Sequence, residues 1–113
     1  MAELPKGHLD ALVLAALEAE SGHGYAIVRR LRRRSDDVFR PSEGTVYPSL
    51  HRLERERLVR SRWTEAKGRR RRVYRITAAG REALAVRRLE WATFARAVEA
   101  VLARSGEAAG GHR

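Results

Sequence analysis

The sequence has no cysteine. Disulfides and thiolate metal sites are therefore excluded, and a reducing cytoplasm is the expected setting. Long apolar runs are also missing. Nowhere do about 18 apolar residues stand together, so no segment is expected to cross a membrane. Met1-Ala-Glu-Leu-Pro lacks the basic start and apolar stretch of a secretory signal. Catalytic constellations are absent too. The histidines are His8, His23, His51 and His112, and no pair has metal-ligand spacing with a carboxylate helper. There is no Gly-x-Ser-x-Gly elbow and no phosphate-cradling glycine loop. No catalytic residue, metal or cofactor is expected, and the chain does not read as an enzyme. Lysine is scarce: of 24 cations only Lys6 and Lys67 are lysine, and the rest are arginine. Arginine forks onto phosphate and guanine better than lysine does. An Arg- and Ala-rich genome would give the same bias.

What is present is charge. The formal net charge is +10 over 113 residues, with a pI of about 11.4. Such an excess favours a polyanion, nucleic acid before an anionic membrane surface. The length suits one domain, and 43% hydrophobic residues is enough for it to fold.

The chain is organised around Pro41 to Arg55. Val46, Leu50 and Leu53 recur at helical spacing and should face a core. Thr45, Ser49 and Arg52 then fall on the opposite face, flanked by His51 and Arg55. Hydroxyls and cations on one outer face suit a major groove. Ser42 is a plausible N-cap. Pro48 removes one helical hydrogen bond. Either the helix is distorted there, or its regular part begins near Pro48.

A first helix opens at Pro5-Lys6-Gly7, with Leu9, Leu12, Val13, Ala16 and Leu17 on one stripe. Ser21-Gly22-His23-Gly24 breaks it. A second helix runs from about Tyr25, with Ile27, Val28 and Leu31 inward. Its arginine-rich end, Arg29 to Arg34, can complement the helix dipole or bind a polyanion. Asp36-Asp37 reads as a turn or cap. Past the organising helix the period changes to two. Val59, Ser61 and Trp63 alternate with Arg60 and Arg62, and Val73 to Thr77 forms a second strand. Thr64 to Arg72 lies between as a basic tip, with Gly68 supplying the turn and Trp63 packing under it. A basic hairpin directly after such a helix makes a winged helix-turn-helix. Thr77 caps a long last helix, to about Arg104. Leu84, Trp91 and Val98 are seven apart, with Phe94 and Val101 in the complementary slot, although Arg87 interrupts the seam. A second copy of the chain or the first helix could cover that face.

These segments together resemble the PadR family of bacterial transcriptional regulators. The resemblance rests on His23-Gly24-Tyr25-Ala26-Ile27, on Gly44 to Glu54, and on Gly68 to Gly80, and it runs from about Leu9 to Leu102. It implies a mainly α fold with a small β-hairpin. Residues 1–77 would form the winged helix-turn-helix, 78–104 a dimerisation helix, and 105–113 a flexible tail. It implies a homodimeric repressor binding an inverted repeat in double-stranded DNA. Tyr25, Ser42, Thr45, Tyr47, Pro48 and Arg52 would lie near DNA, joined by Ser49 and His51 from the helix reading. Lys67, Gly68, Arg69, Arg70, Arg71 and Arg72 would form the wing, with Tyr74 at its base. Leu9, Leu12, Leu84, Trp91, Phe94, Val98 and Val101 would build the dimer. Trp91 could either pack that seam or line a pore for a small hydrophobic or aromatic effector. Arg57 departs from the pattern, where the family usually has glycine. A side chain at a left-handed cap costs about 1 kcal/mol, so the helix should extend or the first strand shift. The competing function is a winged-helix module for protein or RNA contacts without sequence-specific DNA reading.

Overall fold

The computed structural model describes residues 6–104. The expected tail at 105–113 lies outside the described residues. Six elements follow in order: α1 (Lys6–Glu18), α2 (Gly24–Arg34), α3 (Glu43–Arg55), β1 (Val59–Ala66), β2 (Arg69–Ile76) and α4 (Ala78–Leu102). The class is the expected one, mainly helical with a two-stranded antiparallel hairpin.

Helix α1 is the centre of the body and packs against α2, α3, α4 and β2. This explains a feature its stripe does not suggest. Leu14 is buried as well as Leu9, Val13, Ala16 and Leu17, because neighbours stand on several sides of the helix. Around it lie Ile27, Val28 and Leu31 of α2, Val46, Leu50 and Leu53 of α3, and Val59, Tyr74 and Ile76 of the hairpin. Each large aliphatic side chain so buried contributes about 1.5–3 kcal/mol.

Helix starts are set by side-chain caps. Ser42 Oγ accepts the Thr45 N–H at 3.2 Å. Thr77 Oγ1 accepts the Gly80 N–H at 3.0 Å. His23 Nδ1 accepts the Ala26 N–H at 3.2 Å. Helix α3 therefore begins at Glu43 and continues through Pro48 rather than starting beside it. The missing Pro48 N–H leaves the Gly44 carbonyl without its helical donor, and Gly44 is exposed, so water can serve it.

The end of α3 corrects the expectation for Arg57. The helix is not extended. Arg57 itself takes the left-handed conformation, φ 64°. Its N–H donates to Glu54 O and the Leu58 N–H to Leu53 O, both at 2.9 Å. That is the paired closure of a Schellman cap, with arginine where glycine would be unstrained. Helix α2 ends the same way, with Asp36 and Asp37 at φ 51° and 69° and their N–H groups on Arg33 O and Arg32 O.

The hairpin is longer than its alternation suggests. Ala66 pairs with Arg69, so the turn is only Lys67-Gly68. Both take positive φ, 54° and 74°. Two such residues match the right-handed twist of the strands. Arg69 to Arg72, expected in the tip between the strands, are thus ladder residues of β2. Arginine does not break a strand, and Glu65 opposite Arg70 adds an opposite-charge pair. The outer edge of β2 is partly covered, since Gly22 exchanges two hydrogen bonds with Tyr74 at 2.9 and 3.0 Å.

Helix α4 divides in two. Gly80 and Leu84 are buried in the body, and none of its other residues is buried. Its middle is tied to α1 by Arg87, which donates to Gly7 O at 2.6 Å, and by a forked pair from Arg88 to Glu18 at 2.8 and 3.0 Å.

Candidate nucleic-acid interface

Helix α3 presents two faces of different chemistry. Val46, Ser49, Leu50 and Leu53 are buried, a stripe at i, i+3, i+4 and i+7. Ser49 therefore belongs to the inner face, which corrects its place among the DNA-facing residues. Its position in the stripe was the available signal, and its hydroxyl misled. Ser49 Oγ donates to Asp10 Oδ1 of α1 at 2.5 Å. Arg52 turns to the same carboxylate, with Nη2 2.8 Å from Oδ1 and Nε 3.5 Å from Oδ2. Its fork is occupied, so Arg52 is not free for base edges as the sequence implies. Ser42, Thr45, Pro48 and His51 remain exposed on the outer face, with Tyr47 half-buried.

The N-terminus of α2 joins this face to the hairpin. Tyr47 packs so closely on Gly24 that no side chain fits there. Tyr25 is half exposed and stacks parallel to His23 at 6.4 Å, with the Arg29 guanidinium 5.7 Å above its ring. His23 Nε2 lies 2.6 Å from Arg71 Nη1 of β2. Nδ1 faces the Ala26 N–H and Nε2 faces Arg71, and a neutral ring accepts at only one of them, so the cap and the Arg71 contact call for opposite tautomers.

Partial burial holds the His23 pKa below its ordinary value of 6.5, reinforced by Arg71, Arg30 and Arg29 against the opposing pull of Glu43. A depressed folded value means the unfolded chain binds the proton more readily. The stability from neutral His23 is then complete above about pH 6.5 and is lost as pH falls below it. His23→Asn keeps a cap acceptor and cannot titrate. Urea midpoints measured from pH 7.5 to 5 should fall less in this variant than in wild type. Parallel curves would refute the assignment.

The basic residues divide by task. In α2, Arg30 donates to the carbonyls of Ala16, Glu20 and Ser21 at 2.8–3.0 Å, and Arg34 to Ala15 O at 3.2 Å. Both tie α2 to the end of α1. In the hairpin, Arg72 Nε donates to Ser61 Oγ at 2.8 Å, and Arg72 Nη2 lies 3.7 Å from Glu54 Oε1. Arg70 and Arg72 sit over Trp63 at 4.6 and 5.4 Å. Trp63 is 53% exposed in the middle of β1, not packed under the hairpin. Tyr74 is buried, which removes it from the DNA-facing set. Lys67 and Gly68 are exposed at the turn, with Arg69 to Arg71 beside them.

The residues assigned to a dimer separate likewise. Leu9 and Leu84 are closed into the chain's own core, because α1 and α4 cross there. Leu12 and Val98 are half-buried, while Trp91, Phe94 and Val101 are exposed at 54%, 56% and 82%. A groove of about 720 Å³ runs between α1 and α4, lined by Ala11, Leu12, Phe39, Trp91 and Phe94 among others. Trp91 meets His8 edge-on at 5.5 Å and Phe94 at 5.7 Å.

Comparison with known proteins agrees with this architecture. The chain is 48% identical over 62 residues to a transcriptional regulator of Mycobacterium tuberculosis, covering 55% of each chain. A solved transcriptional regulator from Clostridium thermocellum superposes with a TM-score of 0.79 at 27% identity, over 86% of this chain and 92% of its own. The PadR protein of Bacillus subtilis, solved in complex with operator DNA, has the same fold with a TM-score of 0.63 at 22% identity, over 68% of this chain and 44% of its own. The model of the transcriptional regulator PadR-like family matches residues 13–86. The chain is a transcriptional regulator that belongs to the PadR-like family, and it is not an enzyme.

Proposed function

We propose that the chain acts in the cytoplasm as a homodimeric repressor that reads an inverted repeat in double-stranded DNA. One observation carries this: the exposed end of α3, the α2 N-terminus and the arginine ladder of β2 meet around His23. Thr45, Tyr47 and His51 would enter a major groove, with Ser42 and Pro48 at its edge. Tyr25, Arg69, Arg70, Arg71 and the Lys67-Gly68 turn would follow the backbone. A phosphate oxygen beside His23 would accept from the free N–H edge of the Arg71 guanidinium. The operator complex of Bacillus subtilis PadR lends the same fold to such a task.

Residues 1–77 would be the reading head and 78–104 the dimerisation helix, with the first two turns of α4 fixing one to the other. A second copy would cover Leu12, Trp91, Phe94, Val98 and Val101, since so large an apolar face is costly in water. The two-fold axis would set half-sites roughly 34–36 Å apart or a multiple of that. An aromatic cation could enter between subunits and stack on Trp91. It would act only if it favours one dimer state over another. Quenching of tryptophan fluorescence by such a cation, lost in Trp91→Ala, is the expected sign. An unquenched wild type would leave Trp91 as packing.

The DNA proposal is tested by mobility shift, using a duplex from upstream of the chain's own gene against a scrambled one. Preference for the upstream duplex is expected, with light scattering reporting a dimer. Equal affinity at physiological salt, or a monomer at high concentration, would overturn it. Arg69→Ala with Arg71→Ala should flatten the slope of log affinity against log salt by about two units and leave the preferred site unchanged.

A further inference from the structure

Trp63 stands where the hairpin leaves the body. The inner face of the hairpin carries Val59, Ser61 and Trp63 on β1, opposite Ile76, Tyr74 and Arg72 on β2. The first two of these pairs are sheltered by the body, and the third is not. The indole gains little protein cover there. It is met instead by two guanidiniums, Arg70 at 4.6 Å and Arg72 at 5.4 Å from the ring centre. Arg72 is held from the other side, by Ser61 Oγ at 2.8 Å and by Glu54 of α3. Glu54 Oε2 also accepts the Ser61 hydroxyl and N–H, at 2.7 and 3.1 Å. A continuous brace thus runs from α3 through Glu54, Ser61 and Arg72 to Trp63, and Arg70 lies at its open end.

A guanidinium that stacks uses its flat face, and its N–H edge stays available for oxygens. Stacking also restricts a side chain that would otherwise lose rotamer freedom on binding. We propose that Trp63 is a positioning residue of the wing, holding Arg70 in an ordered pose for the phosphate backbone while Arg72 and Glu54 fix the ring to α3. This rests on the DNA-binding proposal above. It adds a residue that acts on the phosphate backbone through Arg70 and not by its own contact.

The test is a binding titration over a salt series, with a labelled duplex from upstream of the chain's own gene. Trp63→Ala should weaken binding roughly 5–10-fold at every salt concentration, the size of one long side chain's ordering cost. The salt slope should stay unchanged, because Arg70 still reaches its phosphate. Arg70→Ala should instead lower the slope by about one unit. In the Arg70→Ala background, Trp63→Ala should have little further effect. Trp63→Tyr keeps a π face and should recover most of the affinity, whereas Trp63→Leu keeps only apolar bulk and should not. Equal affinity of Trp63→Ala and wild type overturns the proposal. So does the same loss with and without Arg70, or recovery by Leu as full as by Tyr. A wild type that binds no duplex at all overturns the DNA-binding proposal itself, which keeps the two failures distinct.

Discussion

Asp10→Ala should lower the unfolding free energy by about 2–3 kcal/mol, a large share of what holds a domain of this size together. Asp10 joins the polar groups on the inner side of α3 to the central helix. Its carboxylate takes the Ser49 hydroxyl and the Arg52 fork together. Removing it leaves a fully buried hydroxyl without its acceptor and a cation, 26% exposed, without its counter-charge. A deeply buried pair broken on one side costs about 3–5 kcal/mol, and the partial exposure of Arg52 reduces that. Asp10→Asn should cost less, since its amide oxygen can still accept from Ser49. The order wild type, Asn, Ala in urea midpoints would support the account. An Ala variant within about 0.5 kcal/mol of wild type would mean that the network contributes nothing net. The same variant frees Arg52 toward solvent, so its DNA preference should change along with its stability.

The site was legible where local chemistry decides and obscure where distant chain segments meet. Ser42 and Thr77 could be read as caps because a cap needs only its own following turn. Val46, Leu50 and Leu53 could be read as inward because periodicity needs no partner. Ser49 and Arg52 were misplaced because their orientation depends on Asp10, thirty-nine and forty-two residues away. Tyr74 and Leu84 carry the same lesson. Each sits on an element correctly located, yet its burial follows from what packs against it. The basic tip is shorter than the spacing suggests, because a run of arginines carries no alternation by which to extend the strand. A two-residue turn instead lets the ladder continue to its end. Arg57 shows the reverse case. The departure was visible in the sequence, but whether the backbone would yield or the residue would bear the strain was decided by the Leu58 N–H closing on Leu53.

Gly80→Ala should destabilise the chain by about 3 kcal/mol, although helix propensity alone favours alanine by as much as about 1 kcal/mol. The two effects have opposite sign, which makes the substitution informative. Gly80 lies in the first turn of α4, where it presses against the turn joining α3 to β1. A Cβ there would run into the Leu58 carbonyl oxygen and approach Ile76 Cγ1 to 2.7 Å. The carbonyl cannot retreat cheaply, because it accepts the Thr77 N–H at 3.0 Å. Thr77 in turn caps α4 and donates its hydroxyl to Arg57 O at 2.8 Å. One added methyl group therefore pushes on the cap of α4, the end of α3 and the start of β1 together. These are the three points that set the long helix against the reading head. A thermal midpoint lowered by more than about 10 °C is the expected result, since about 1 kcal/mol moves a domain of this size by roughly 4–8 °C. In a dimer joined through α4 the variant should also lose operator affinity beyond its loss of stability, because the angle between the two heads depends on this joint. A midpoint that rises, as propensity alone would have it, would show that α4 does not meet the body so closely.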